Sequence, residues 1–155
     1  LSFSVVINVS GLEGLPQKMR AVRQGILARL DTMLRQAGET IVGISREDYL
    51  SGPRPEKLGR ISGDLARSVL YRISGSSVQV GSNLPYAPVH EYGATIVPVR
   101  ARALVFKTLD GAWHSAQKVV IPPRPFLAPA LNDAMPSVIE IVQRQCDAAI
   151  KEALA

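Results

Sequence analysis

Reactive and metal-ligating side chains are scarce in this chain, which has one cysteine and two histidines in 155 residues. A lone Cys146 excludes an internal disulfide and fits a reducing cytoplasm better than a secreted scaffold. Two histidines and one cysteine would need scattered acids to complete a zinc site, so no metal or other cofactor is expected. No run of eighteen apolar residues occurs, and residues 1–10 lack the basic start and apolar core of a secretory signal. The expectation is a soluble chain with no membrane partner. No glycine spacing leads into Lys and Ser or Thr, so no phosphate loop is present. There is no Gly-x-Ser-x-Gly elbow, and no pair of carboxylates declares itself. Glu47-Asp48 reads as a loop end or helix start, with Ser45 and Asp48 in a capping pattern. Cys146 falls in an amphipathic stretch, where a small packing residue is the simpler reading than a catalytic thiol. The chain is not expected to be an enzyme.

Charge is unbalanced but thinly spread. The formal net charge is +5. Residues 1–75 hold eleven Lys or Arg against seven acids, residues 76–132 five against two, and residues 133–155 two against four. No block of like charge forms, and aromatics, 5% of residues, are not interleaved with the basic ones as a single-strand groove requires. Stand-alone DNA binding is therefore not expected, whereas mild positive charge facing a DNA-containing channel would look the same.

What is present is apolar periodicity in a chain that is 46% hydrophobic, enough for one domain, residues 1–155, with a real core. Phe3, Val5, Ile7 and Val9 alternate with Ser4, Asn8 and Ser10, with Val6 the one exception, and predict a half-buried strand. From Gln17 to Val42, Met19, Val22, Ile26, Leu30, Met33, Leu34, Ala37 and Ile41 recur at helical steps, and Pro16 suits the first turn. The segment "SGPRPEKLGRISG", residues 51–63, reads as a loop, and its Arg54, Lys57 and Arg60 as a solvated face or a contact with phosphate or an acidic partner. Ser62 reads as the N-cap of a short helix, after which Val69, Tyr71 and Ile73 pair across Gly75-Ser76 with Val78 and Val80. Ile96-Val97 and Leu104 to Leu109 are further strand signals. Asp110-Gly111 predicts a type I′ turn, with a second arm running through Trp113 toward Val119-Val120-Ile121. Four prolines in "IPPRPFLAPAL", residues 121–131, predict a stiff crossing. Asn132 or Asp133 then caps a helix with Pro136 in its first turn. The layout predicts an α+β domain: an antiparallel sheet against a long N-terminal helix and a C-terminal helix, with a protruding loop and hairpin.

One stretch tests for chemistry directly. "PYAPVHEYGATIVP", residues 85–98, contains His90-Glu91, the front half of a zinc-protease signature. That signature needs a second histidine four residues on, on a helix. Position 94 is Ala94, and Pro88 and Gly93 argue against a helix. The stretch reads as a strand-turn element in which His90 and Glu91 make a hydrogen bond or ion pair within or between subunits.

Three blocks together, "LSGPRPEKLGRISGDLARSV" (50–69), "YAPVHEYGATI" (86–96) and "IPPRPFLAPAL" (121–131), resemble the tailed-bacteriophage head-tail joining family, the virion morphogenesis and tail-completion proteins of Mu-like and related phages. The matching positions are Tyr86, Ala87, His90, Glu91, Tyr92 and Gly93, then Arg124, Pro125, Phe126 and Leu127, within a resemblance over about residues 45–145. A hairpin-like insertion, Arg100 to Val119, departs from some members. The resemblance implies a virion subunit, assembled in the bacterial host cytoplasm, that forms a six- or twelve-fold homo-oligomeric ring at the neck. It would join portal-side connector or head-closure proteins to tail-terminator or tail-tube proteins. Tyr86, His90, Glu91, Tyr92, Gly93, Arg124, Pro125, Phe126 and Leu127 are then candidates for a subunit or partner interface. Phe126 and Leu127 would serve either as an apolar anchor for a neighbour or as packing on their own sheet. Arg54, Lys57, Arg60, Arg100 and Arg102 are candidates for contacts with genomic DNA in the channel or with partners. The alternatives are a monomeric nucleic-acid- or partner-binding module and, within the family, a tail-terminator ring.

Overall fold

A computed structural model describes residues 2–7, 17–52, 58, 62–108 and 110–154. It is an α+β fold. Strand β1 (Ser2–Val6) precedes the long helix α1 (Gln17–Ile44), which continues into a π-helical turn at Ser45–Tyr49. Helix α2 (Asp64–Ser68) leads into the hairpin β2 (Val69–Ser74) and β3 (Ser77–Ser82). Helix α3 (Ala87–Tyr92) is followed by the short strands β4 (Ala94–Ile96), β5 (Leu104–Lys107), β6 (Trp113–Ala116) and β7 (Val119–Ile121), and by helix α4 (Ala128–Leu154).

The alternation read from the sequence sets one face of the main sheet against α1. β1, β3 and β2 pair antiparallel in that order, with Phe3 opposite Val80 and Val80 opposite Tyr71. Side chains of one strand alternate between faces, so Val69, Tyr71, Ile73, Val78, Val80, Phe3 and Val5 pack inward. They meet Leu34, Ala37, Ile41 and Val42 from the C-terminal half of α1. Gly38 makes that approach close, since a Cβ there would stand 2.6 Å from the Tyr71 ring. Leu58 is buried in the same core.

α4 lies antiparallel along α1. Tyr49 donates its hydroxyl to Asp133 near the start of α4, while Arg29 pairs with Glu152 near its end. Ala134 and Val138 complete the core from this side.

Several local expectations are corrected. Ser45 is no cap: it lies fully buried in the π turn, whose 45–50 backbone bond continues α1. Gly63, in the left-handed region with φ 76°, takes the N-cap place of α2, and Ser62 Oγ accepts from the Asp64 amide instead. Among the described residues of the 108–112 turn, Gly111 has positive φ and Asp110 does not, so a type I′ turn centred on Asp110-Gly111 is not formed. Asp110 holds the turn through its carboxylate, accepting from the Thr108 hydroxyl and the Ala112 amide. The second arm stops at Ala116, and Val119–Ile121 pairs separately with Ala94–Ile96. α4 begins at Ala128, so Pro129 occupies its first turn and Pro136 lies inside it. Pro136 leaves the Asn132 carbonyl without its helical donor, and the burial of Ala134, Val138 and Ile141 outweighs that loss. Part of the predicted first strand, at Val9, lies outside the described residues, as do Leu109, Arg54, Lys57 and Arg60.

Candidate functional site

Two of the three blocks that carry the family resemblance, residues 86–96 and 121–131, meet in space through one carboxylate. Pro88 sits in the first turn of α3, where a missing N–H costs no helical bond, so His90 and Glu91 stand on a helix and not in a strand-turn element. The turn is short, with the His90 amide bonded to the Tyr86 carbonyl at 3.3 Å. Gly93 ends it at φ 75° and ψ 168°. A Cβ at Gly93 would lie 2.9 Å from the Ile121 carbonyl oxygen and 3.0 Å from Pro123, so both the backbone angle and the close approach require glycine.

The chain leaves through β4 and returns through β7, antiparallel, with Ala94 opposite Ile121. The proline-rich crossing then runs back over α3, where the Arg124 amide donates to the His90 carbonyl at 2.7 Å. Next, the Glu91 carboxylate accepts three consecutive amides: Phe126 N at 2.8 Å and Leu127 N at 3.0 Å on Oε2, and Ala128 N at 2.9 Å on Oε1. These groups open α4, and Pro129, next in line, has no amide hydrogen to satisfy. Glu91 is only 3% exposed, and its negative charge faces the positive end of a 27-residue helix. A buried carboxylate would be costly alone. Here three donors and the helix dipole replace water.

This clasp fixes the base of an arm, residues 94–121. The arm consists of two antiparallel pairs in tandem, β4 with β7 and then β5 with β6. Phe106 and His114 stack across the outer pair with ring centroids 6.0 Å apart. Apolar side chains elsewhere on the arm face solvent: Val99 is 91% exposed, Trp113 71% and Val105 67%. Arg100 and Arg102 are exposed in the bends between β4 and β5.

The interface candidates singled out from the sequence therefore separate into three groups by burial. Glu91, Phe126 and Leu127 are buried, with Phe126 and Leu127 in this chain's own core, which removes their side chains from the outer surface. His90 is half-buried with its ring edge-on to Tyr86, Gly93 shapes the clasp, and Arg124 is half-buried beside it. Tyr86, Tyr92 and Pro125 remain exposed around them. Sequence reasoning missed the exposed arm residues Val99, Val105 and Trp113 as candidates, although the consecutive apolar run Leu104-Val105-Phe106 was a signal that one face of a strand could not bury them all. It also missed Arg46, whose guanidinium donates to the carbonyls of Ala66 at 2.9 Å and Val69 at 2.7 Å and so ties the π turn to α2 and β2. Among the described residues, no group of three or more His, Cys, Asp or Glu side chains is placed to hold a metal ion, and no helix is long and apolar enough to cross a membrane.

A sequence profile of the phage virion morphogenesis family matches residues 45–146, about two thirds of the chain, from the π turn through the clasp into α4. No curated protein and no solved structure matches.

Proposed function

Because the chain belongs to the phage virion morphogenesis family and so has a structural, assembly role in the virion, we propose that it is a ring subunit of the phage neck, joining the finished tail to the DNA-filled head. The observation that carries this reading is the arm at 94–121. A ring needs a heterologous contact, one surface reaching a different surface on the next copy. A two-stranded ribbon with Trp113, Val105 and Val99 in solvent suits such a reach, because isolated hairpins gain little by standing alone. The Glu91 clasp holds the arm's base to α4, so little ordering is left for the moment of docking. Portal-side connector or head-closure proteins and tail-terminator or tail-tube proteins are the neighbours on the two ring faces. Tyr86, Tyr92 and Pro125, exposed around the clasp, are proposed contact points.

Arg100 and Arg102, with Arg54, Lys57 and Arg60, are proposed to face the DNA channel, attracting phosphate without reading sequence. Electron cryo-microscopy of necks containing this chain tests the reading. Six- or twelve-fold density fitted by this fold, between portal and tail, is the expected result. A chain found only as a monomer that binds DNA tightly and with steep salt dependence would instead support a nucleic-acid-binding module, and density at the tail end alone a terminator ring.

A further inference from the structure

Resting on the ring reading, the geometry points to one specific subunit contact: the 94–121 arm of one copy seats on the outward stripe of α4 of the next copy. Two properties of the arm set what can cover it. It is apolar, with Val99, Val105 and Trp113 exposed. Its outer part is also basic, with Lys107 and Lys118 against the single acid Asp110, while Arg100 and Arg102 in the bends between β4 and β5 are left to face the channel. Its occupant must therefore be apolar and acidic.

α4 carries such a surface on the side its own core leaves uncovered. Successive residues turn by about 100° around a helix. With Ala134, Val138 and Ile141 facing α1 and the sheet, the opposite stripe is Pro136, Ile139, Glu140, Gln143, Asp147 and Ile150. Ile139 and Ile150 are exposed apolar groups on it, and both of its charges are negative. Arg144 and Lys151 stand four residues on from Glu140 and Asp147 along one edge, so the two acids are open to the arm's lysines only from the Ile139 and Ile150 side, which restricts the register of docking. Lys107 and Lys118 approaching Glu140 and Asp147 would steer the contact, while Trp113 and Val105 against Ile139 and Ile150 would supply the apolar burial. The two surfaces lie on different parts of the molecule, so the contact is head-to-tail and repeats, as ring closure needs.

Photo-cross-linking in the full chain tests it. Trp113 is replaced by p-benzoylphenylalanine, and ¹⁴N- and ¹⁵N-labelled protein are mixed so that intermolecular products are distinguished by mass. The expected product joins position 113 to residues 136–150 of another copy. E140K with D147K should lower its yield about tenfold or more, and K107E with K118E in the same chain should restore it. Circular dichroism checks that the charge variants keep their fold. Cross-links to any other surface, or a yield indifferent to the α4 reversal, overturn the contact. If particles still form in that case, the ring reading survives without it. A chain that stays monomeric at all concentrations and gives no intermolecular product overturns both.

Discussion

Replacing Glu91 with alanine leaves three backbone amides at the start of α4, two of them buried and one partly buried, without an acceptor. Hydrogen bonds to a charged group contribute about 1.5–3 kcal/mol each, and they share one carboxylate, so E91A should lose about 3 kcal/mol or more in chemical denaturation. E91Q keeps one acceptor oxygen and should fall between. A loss under about 1 kcal/mol for E91A would mean that water or a rearranged backbone serves those amides equally well. Gly93 should be nearly as sensitive: G93A forces a positive φ on alanine and presses a Cβ on the Ile121 carbonyl, at an expected cost of about 2 kcal/mol or more. His90→Ala should be milder than either, because the bond from the Arg124 amide is made by the His90 backbone carbonyl and survives the change. The three variants, ranked by denaturation midpoint, separate a carboxylate clasp from a general sensitivity of this segment.

At the scale of elements, the arm and the helical body should be separable. β4 and β7 still pair at their inner ends if residues 97–118 are replaced by Asn-Gly, since Ile96 stands opposite Val119. This deletion should leave helical circular dichroism and a cooperative unfolding transition, with stability changed by about 1 kcal/mol or less, because the removed residues add little to the main core. It should abolish particle formation. Loss of the fold would show that the arm supports the core after all. The arm's tip should also respond to acid. The Asp110 carboxyl is held below its ordinary value of 3.8, chiefly by the hydrogen bond from the Thr108 hydroxyl and then by the Ala112 amide. The folded tip therefore binds a proton less readily than the unfolded chain. Its stabilisation is complete above 3.8 and disappears as pH falls through the depressed value. Exchange of the Thr108 amide, which donates to the Ala112 carbonyl at 2.9 Å, should accelerate beyond the intrinsic pH trend across that acidic window, and D110N should remove the extra acceleration.

For the whole molecule, the division between a closed core and an open arm is the main consequence. The main sheet, α1 and α4 bury their apolar faces against one another, whereas the arm does not. If the arm is covered only on assembly, stability must depend on subunit concentration through mass action. Raising the protein concentration should raise the melting temperature of the full chain and leave that of the 97–118 deletion unchanged. A melting temperature independent of concentration in the full chain, under conditions where particles are present, would mean that assembly leaves the folding equilibrium untouched. The α+β class and the β2–β3 hairpin are legible in the sequence because their signals are local: alternation in Val69, Tyr71 and Ile73, a Gly75-Ser76 turn, and helical spacing from Gln17 onward. α3 is not legible there, since Pro88 and Gly93 discourage a helix and both prove to be terminal positions.

The family blocks are also visible as sequence, and with them the expectation that Glu91 forms a polar contact. The partner is hidden, because the amides it serves lie 35 to 37 residues away and belong to a backbone whose helical start depends on Glu91 itself. For that reason local capping chemistry points to Asn132 or Asp133 as the beginning of the last helix, while the folded chain begins it at Ala128. The same distinction governs Phe126 and Leu127. Their apolar character follows from composition alone, but whether they face a neighbour or their own core depends on where the crossing at 122–127 is pinned. Periodicity and turn chemistry act over a few residues and determined the elements. The clasp, the burial of Phe126 and Leu127 and the exposure of Trp113 rest on contacts between distant segments, which only the tertiary structure decided.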